Sequence, residues 1–227
     1  MAPLSPAHWE TVTPLMRQLL SELGGSPWME HFYLAGGTAL ALRLGHRRSI
    51  DLDFFSATDP IDGPSRRRIR ASLRGRSPEA VEDVDGNLLL RVGDALHLAF
   101  LSYGHPLIDE PEVLEGVRLA SMRDVGLMKL DAVIGRGSRK DYYDLHAIAR
   151  AHPLESLLDL ASAKYPYARD FPLMALESLL RFENADRDRQ PDMLSGTSWP
   201  EVRSFFVAEA RRLGESWLGE RGGDTRP

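Results

Sequence analysis

The run Ile50-Asp51-Leu52-Asp53-Phe54 alternates apolar and acidic residues. Successive side chains on a strand point to opposite faces, so Ile50, Leu52 and Phe54 are expected to face a core while Asp51 and Asp53 share the other face. Two carboxylates about 7 Å apart repel by roughly 2 kcal/mol at an effective dielectric of about 20. Aspartate is also a poor strand former. The arrangement is costly unless a divalent cation sits between the oxygens, and hard oxygen ligands of this kind suit magnesium, or manganese, carried in with nucleotide phosphates. For an isolated Asp-x-Asp a solvated strand face is the plainer account.

The preceding turn favours chemistry. Gly36-Gly37 permits unusual backbone angles and close approach, and Thr38 is placed to cap the helix behind it, so free N–H groups and the helix dipole would face an anion. No Gly-Lys-Ser/Thr follows, which excludes a Walker A loop. Arg43, His46, Arg47 and Arg48 lie between this turn and the acidic strand, where phosphate contacts are plausible, Arg48 among them. Further on, Lys129 and Arg136 are nearly two helical turns apart and fall on similar faces of an unbroken helix, where they could bracket a triphosphate or simply face solvent. Asp141 and Asp144 share a helix face, and Lys140 with Asp144 could form an exposed i,i+4 pair worth a few tenths of a kcal/mol.

The elements that must position these residues are legible as periods and breaks. Apolar residues at helical spacing predict a helix over Trp9–Leu23, stopped by Gly24-Gly25. Phe32–Ala35 reads as a buried strand ending in the Gly36-Gly37 turn, and Thr38–Leu44 as a helix closed by Gly45. After the acidic strand come a basic helix around Arg66–Arg76 and two antiparallel strands, Leu88–Val92 and Ala95–Leu101, joined at Gly93-Asp94, with a short strand at Val117–Ala120. From Ser121, which pairs with Asp124 as an N-cap, the chain is helical: one segment to Ile134, another over Asp141–Ala149, then Pro153–Lys164, Pro172–Phe182 and Pro200–Leu218, each of the last three entered near a proline. The expected class is α+β, a mixed sheet with flanking helices over residues 1–120, followed by a helical region over 121–227 that packs on the core and completes the cleft.

The whole chain narrows the function classes. Its 227 residues suffice for a real core, and 43% hydrophobic with 27% charged residues is ordinary for a globular protein. A formal charge of -5 argues against a broad nucleic-acid grip, so any RNA contact should be local. Arg66, Arg67, Arg68, Arg70, Arg74 and Arg76 form one basic patch that could guide an RNA acceptor or be a solvated helix face. Cysteine is absent, which removes disulfides and thiolate chemistry and fits a reducing cytoplasm. No apolar stretch approaches the ~20 residues that span a bilayer, the N-terminus lacks a signal-peptide pattern, and the dispersed histidines offer no zinc spacing; a cytoplasmic protein without membrane contact is expected. Trp199, Phe205, Phe206 and Trp217 on the last helix read as packing.

Four blocks together carry a resemblance: Leu34-Ala35-Gly36-Gly37-Thr38-Ala39-Leu40, Ser49 to Phe55, Met128-Lys129-Leu130, and Arg139-Lys140-Asp141-Tyr142-Tyr143-Asp144-Leu145. In order, spacing and chemical type the chain resembles the AbiEii/AbiGii toxin family of nucleotidyltransferases. The resemblance implies a polymerase-beta-like catalytic fold, an NTP and magnesium as co-substrates, and transfer of a nucleoside monophosphate to an acceptor hydroxyl. It further implies catalytic roles for Asp51, Asp53, Lys129 and Asp141, metal binding by Asp51 and Asp53, and nucleotide or phosphate contacts from Gly36, Gly37, Thr38, Lys129, Arg136 and Lys140. By kinship it also implies a toxin held by a cognate antitoxin protein, acting on tRNA, another RNA or a protein.

One departure matters. Such enzymes place a third carboxylate on a neighbouring strand, and here that position is Ala99; Asp94, His97 and Asp141 are the candidates to compensate. Losing the third acid would weaken a two-metal arrangement. That motivates one alternative, a catalytically weak nucleotide-binding or interaction module; the enzymatic alternative is an antibiotic nucleotidyltransferase, favoured if the C-terminal helices form an acidic pocket for a polycationic drug.

Overall fold

The computed structural model describes residues 1–223. The chain divides into two compact units, Met1–Val125 and from Gly126 onward. The dividing point lies a few residues past Ser121, inside the helix Met122–Gly135 (α4), because α4 runs unbroken through the change of character.

In the first unit the opening helix is shorter than its periodicity suggests. Trp9–Thr11 is a 3-10 turn, and helix α1 spans Pro14–Gly24. Pro14 lacks an N–H and takes the first helical position, while the Thr13 side chain accepts from Met16 N at 3.2 Å. Met16, Leu19, Leu20 and Leu23 then line one buried face, each worth about 2 kcal/mol in water-to-core transfer. Strand β1 is reduced to Tyr33–Leu34, and helix α2 begins earlier than expected, over Gly36–Leu44, with Gly45 closing it. Most of α2 is buried, which its Gly and Ala content allows.

Strand β2 covers Asp51–Ser56 with Leu52, Phe54 and Ser56 buried. Ile50 is a correction: it is 60% exposed, because pairing starts only at Asp51 and the alternation does not reach back to it. Helix α3 (Gly63–Ser72) is capped by Asp62, whose carboxylate accepts from Ser65 N at 3.0 Å, and a 3-10 turn at Arg74–Arg76 follows. Strands β4 (Asn87–Val92) and β5 (Leu96–Ser102) form the expected antiparallel pair. Two strands were not anticipated: β3 (Glu79–Val84), exposed at every position and therefore without alternation, and β6 (Glu112–Leu114), too short to show a period. With β7 (Val117–Leu119) they complete a seven-stranded sheet in the order β3-β4-β5-β2-β1-β7-β6. β2 runs parallel to β5 and β1 parallel to β7; the other neighbours are antiparallel. One sheet face carries the core, where α1 and α3 meet Phe32, Phe54, Leu88, Leu90 and Phe100, and the Phe54 and Phe100 rings stack at 5.0 Å. The opposite face carries Asp51 and Asp53.

The second unit is helical. Ser121 Oγ accepts from Asp124 N at 3.0 Å at the entry of α4, which is the anticipated capping pair. Helix α5 spans Arg139–Ala149, α6 Leu154–Asp159, α7 Ala161–Lys164, α8 Phe171–Ser178, α9 Glu183–Arg187 and α10 Trp199–Gly223. The segment expected as one helix over Pro153–Lys164 is two, and α9 was not expected. Tyr142 is fully buried, with the Phe182, Trp199 and Phe206 rings within 5.8 Å of its own, and its hydroxyl donates to the carbonyls of Ser178 and Arg181. Trp199 and Phe206 are thus packing residues.

Candidate nucleotide and metal site

The cradle, the acidic strand and their supports all belong to the first unit. Gly36 takes a left-handed φ of 66°, and a Cβ there would lie 3.1 Å from Oδ2 of Asp53. The missing side chain is what lets the turn approach the second aspartate. At Gly37 a Cβ would come within 2.1 Å of an Arg47 guanidinium nitrogen, so the head of α2 carries a buried cation packed against its backbone. Arg47 also donates to the Arg48 carbonyl at 3.0 Å, while Arg48 itself is exposed.

Thr38 does not cap α2. The N-cap residue is Ala35, and Thr38 sits one turn in, 1% exposed, with its hydroxyl at 2.8 Å from Ser49 Oγ and hydrogen-bonded to the Asp51 carbonyl. Its work is to fix the start of β2 against α2, and so to set where Asp51 points. Arg43 pairs with Glu112 at 2.8 Å and reaches the Leu119 carbonyl; it ties α2 to the far strands.

Asp51 and Asp53 share one strand face as expected, each partly exposed. Oδ1 of Asp51 is buried and accepts no hydrogen bond, although His97 Nδ1 stands 3.4 Å away. A buried anionic oxygen left without a donor is expensive unless a cation meets it. The register with β5 sets His97 beside Asp51 and Ala99 beside Asp53. Ala99 therefore occupies the strand position adjacent to the second aspartate, where no oxygen is available. Among the described residues no group of three or more His, Cys, Asp or Glu side chains is arranged to hold a metal. The pair fits a cation that brings further oxygen ligands with it on phosphates, rather than one held by protein alone.

In the second unit, Lys129, Arg136 and Asp141 converge. Lys129 Nζ lies 2.9 Å from Asp141 and 2.6 Å from Asp144, both carboxylates fully buried. Arg136 closes on Asp141 with two bonds of 2.8 Å, and Ser138 Oγ adds a third contact at 2.5 Å. Burial would raise the Asp141 pKa, but the Lys129 charge, the Arg136 bonds and Ser138 outweigh it and hold the carboxyl far below the usual carboxylate range. Asp141 and Asp144 do share a face, but Asp144 pairs with Lys129 and not with Lys140, which is exposed. Lys129 is thus already engaged by two carboxylates of α5.

Sequence reasoning singled out Asp51, Asp53, Gly36 and Gly37, which the structure brings together. Arg48 was the expected phosphate contact, whereas Arg47 is the arginine that packs on Gly37; His97 was legible on the Ala99 face but not as the neighbour of Asp51. The parallel register of β2 and β5 was not readable.

The profile of the family described as "Nucleotidyl transferase AbiEii toxin, Type IV TA system" matches residues 18–97 and 100–210. An uncharacterized protein of Aquifex aeolicus is 36% identical over 191 residues, covering 82% of this chain and 89% of that one. Among solved structures, JHP933 of Helicobacter pylori aligns with a TM-score of 0.51 at 21% identity, over 92% of this chain and 93% of that chain. MenT4, a nucleotidyltransferase toxin of Mycobacterium tuberculosis, aligns with a TM-score of 0.51 at 18% identity, over 87% and 84%.

Proposed function

The chain belongs to the AbiEii nucleotidyl transferase toxin family, and from that premise we propose that Asp51 and Asp53 hold the magnesium of an incoming NTP whose nucleoside monophosphate is passed to an acceptor hydroxyl on RNA, the hydroxyl losing its proton and pyrophosphate leaving from the α-phosphorus. The observation that carries this reading is Oδ1 of Asp51, buried and without a hydrogen-bond donor on the face it shares with Asp53. A bound magnesium would neutralise charge on the triphosphate and on the oxygen that leaves. The chain's own residues do the positioning. Gly36 lets phosphate oxygens approach the backbone at the head of α2, where the dipole favours an anion, and Gly37 leaves room for the Arg47 guanidinium to pack against that turn. Thr38 holds Asp51 in place through its carbonyl. Positioning and electrostatics supply most of the rate in phosphoryl-group chemistry.

The remaining parts of the reading rest on kinship and composition. A cognate antitoxin protein is expected as partner, and the reaction belongs in the cytoplasm, where NTPs are. No helix among the described residues is long and apolar enough to cross a membrane. Lys129, Asp141, Arg136 and Lys140 keep their proposed part in nucleotide handling, with Lys129 and Asp141 acting only in the pairing that α4 and α5 impose on them.

Ala99 favours a second reading, a nucleotide-binding or antitoxin-binding module with little turnover. One assay separates the two. Purified protein is incubated with each α-labelled NTP, magnesium and total RNA, beside Asp51→Ala, with protein and aminoglycoside acceptors as further arms. Label on RNA that Asp51→Ala abolishes is the expected result. Nucleotide binding with no transfer to any acceptor would favour the binding module and contradict the transferase.

A further inference from the structure

The two sides of β2 are not equivalent. Gly36 approaches Asp53 from the side of β1 and α2, where the Ala35 N–H donates to the Asp53 carbonyl at 3.1 Å. β5 and then β4 lie on the other side. An in-line displacement keeps the entering and leaving oxygens opposite each other across the phosphorus. Phosphates that leave from the Gly36 turn therefore require an acceptor hydroxyl that enters over β5.

The face of those two strands suits such an entry. Asp51 pairs with His97 on β5, and His97 with Arg91 on β4, so the three side chains form one row across the sheet. Leu52, Leu98 and Leu90, one residue along each strand, form the matching buried row on the core face. His97 and Arg91 each keep 42% of the side chain exposed, so the row is open to solvent. Among the described residues of β4 and β5, Arg91 is the permanent cation on this face. It donates to Glu79 of β3, which is more exposed still, and an ion pair at the surface exchanges readily for another anion. A phosphate takes a guanidinium with two parallel bonds. The arginines of α3 are placed less well, because α3 packs through Ile69 on the core face and so lies behind the aspartates.

We propose that Arg91 binds the backbone phosphate next to the acceptor hydroxyl of an RNA strand, two strand spacings or about 10 Å from Asp51. A ribose lying over His97 then turns its hydroxyl toward Asp51 and its phosphodiester toward Arg91. The contact reads no sequence; it fixes the direction from which the hydroxyl arrives. This rests on the reading of Asp51 and Asp53 as the metal site of an enzyme whose acceptor is RNA.

Binding of a short RNA ending in a free ribose hydroxyl is measured on the full-length protein, with magnesium and a non-hydrolysable NTP analogue present. The parent, Arg91→Gln and Glu79→Gln are each titrated with the normal RNA and with one whose last phosphodiester is an uncharged methylphosphonate. Arg91→Gln should weaken binding of the normal RNA about tenfold. It should also lower the slope of log K against log salt by about 0.7. The methylphosphonate should cost the parent a similar factor and Arg91→Gln little, because both changes remove one contact. Glu79→Gln should tighten RNA binding about threefold, since it removes the competing anion. Three results overturn the proposal: Arg91→Gln that binds normal RNA as the parent does, a methylphosphonate loss as large in Arg91→Gln as in the parent, or RNA that the parent does not bind. Glu79→Gln that weakens binding as Arg91→Gln does would mark a mere brace between β3 and β4 and overturn it too. The analogue titrated without RNA tests the reading beneath. If it fails to bind with magnesium, or binds Asp51→Ala equally well, the metal and phosphate reading has failed and the acceptor contact falls with it.

Discussion

At the residue scale the site turns on what stands beside each aspartate. Asp51 has His97 at 3.4 Å, and Asp53 has Ala99. Placing a carboxylate at Ala99 would set a third negative charge about 5 Å from Asp53, with repulsion on the order of 1 to 3 kcal/mol in the metal-free protein. Ala99→Asp is therefore expected to lower the melting temperature in EDTA, to enlarge the rise in melting temperature produced by magnesium with NTP, and to speed transfer. Thermal melts with and without metal check the first two effects. A variant that melts like the parent in both conditions would mean that position 99 does not face the aspartates. The pair Asp51 and Asp53 was legible because alternation of apolar and acidic residues is itself a strand signal. The place of Ala99 was inferred from the family pattern, whereas the pairing of His97 with Asp51 depends on which strand lies beside β2, and nothing local in the sequence encodes a parallel partner more than forty residues away.

At the scale of elements, the α4 and α5 cluster and the α3 arginines carry the clearest consequences. Removing one partner of a buried ion pair leaves the other uncompensated, at a cost of about 3 kcal/mol or more. Asp141→Asn should destabilise the helical unit by that order, read from urea or thermal unfolding. The pH dependence follows from the same group. Asp141 titrates below its ordinary value in the folded state, so the stability it contributes is complete above the unfolded value of about 3.9 and is lost as pH falls from there toward the folded value. Melts between neutral pH and pH about 2.5 should show this loss in the parent and a shallower one in Asp141→Asn.

The α3 arginines were open to two readings, and their partners favour the structural one. Arg66 pairs with Asp83 and Asp85, Arg70 with Asp83 at 2.7 Å, Arg68 with Asp59 at 2.8 Å, and Arg76 with Glu22. The Arg66 and Arg70 bonds brace the β3 and β4 hairpin, Arg68 ties α3 to the segment before it, and Arg76, in the 3-10 turn after α3, ties that turn to α1. Helices with an apolar stripe were readable from the sequence, although Pro14 shortened the first one; β3 was not, since a strand exposed on both faces has no period to detect.

At the scale of the whole molecule, an acidic chain whose main basic patch is internally paired at Arg66, Arg68, Arg70 and Arg76 can hold RNA only locally. RNA affinity should therefore weaken only gently with salt, with a slope of log K against log salt corresponding to about two or three phosphates. A slope near ten would require a broad basic surface and would contradict that account. The mixed sheet and the helical region after it were foreseeable because the period of apolar residues switches from strand to helix near Ser121. The end of the first unit at Val125 was not, since α4 passes through it without a break.

The central claim is that Asp51 and Asp53 hold a divalent cation together with nucleotide phosphates, and the most direct test is a titration of manganese, as a paramagnetic substitute for magnesium, followed by electron paramagnetic resonance. The account predicts weak manganese binding to the protein alone, strong binding once a non-hydrolysable NTP analogue is present, and loss of that strong binding in both Asp51→Asn and Asp53→Asn. Nucleotide binding that needs neither metal nor either aspartate would contradict it.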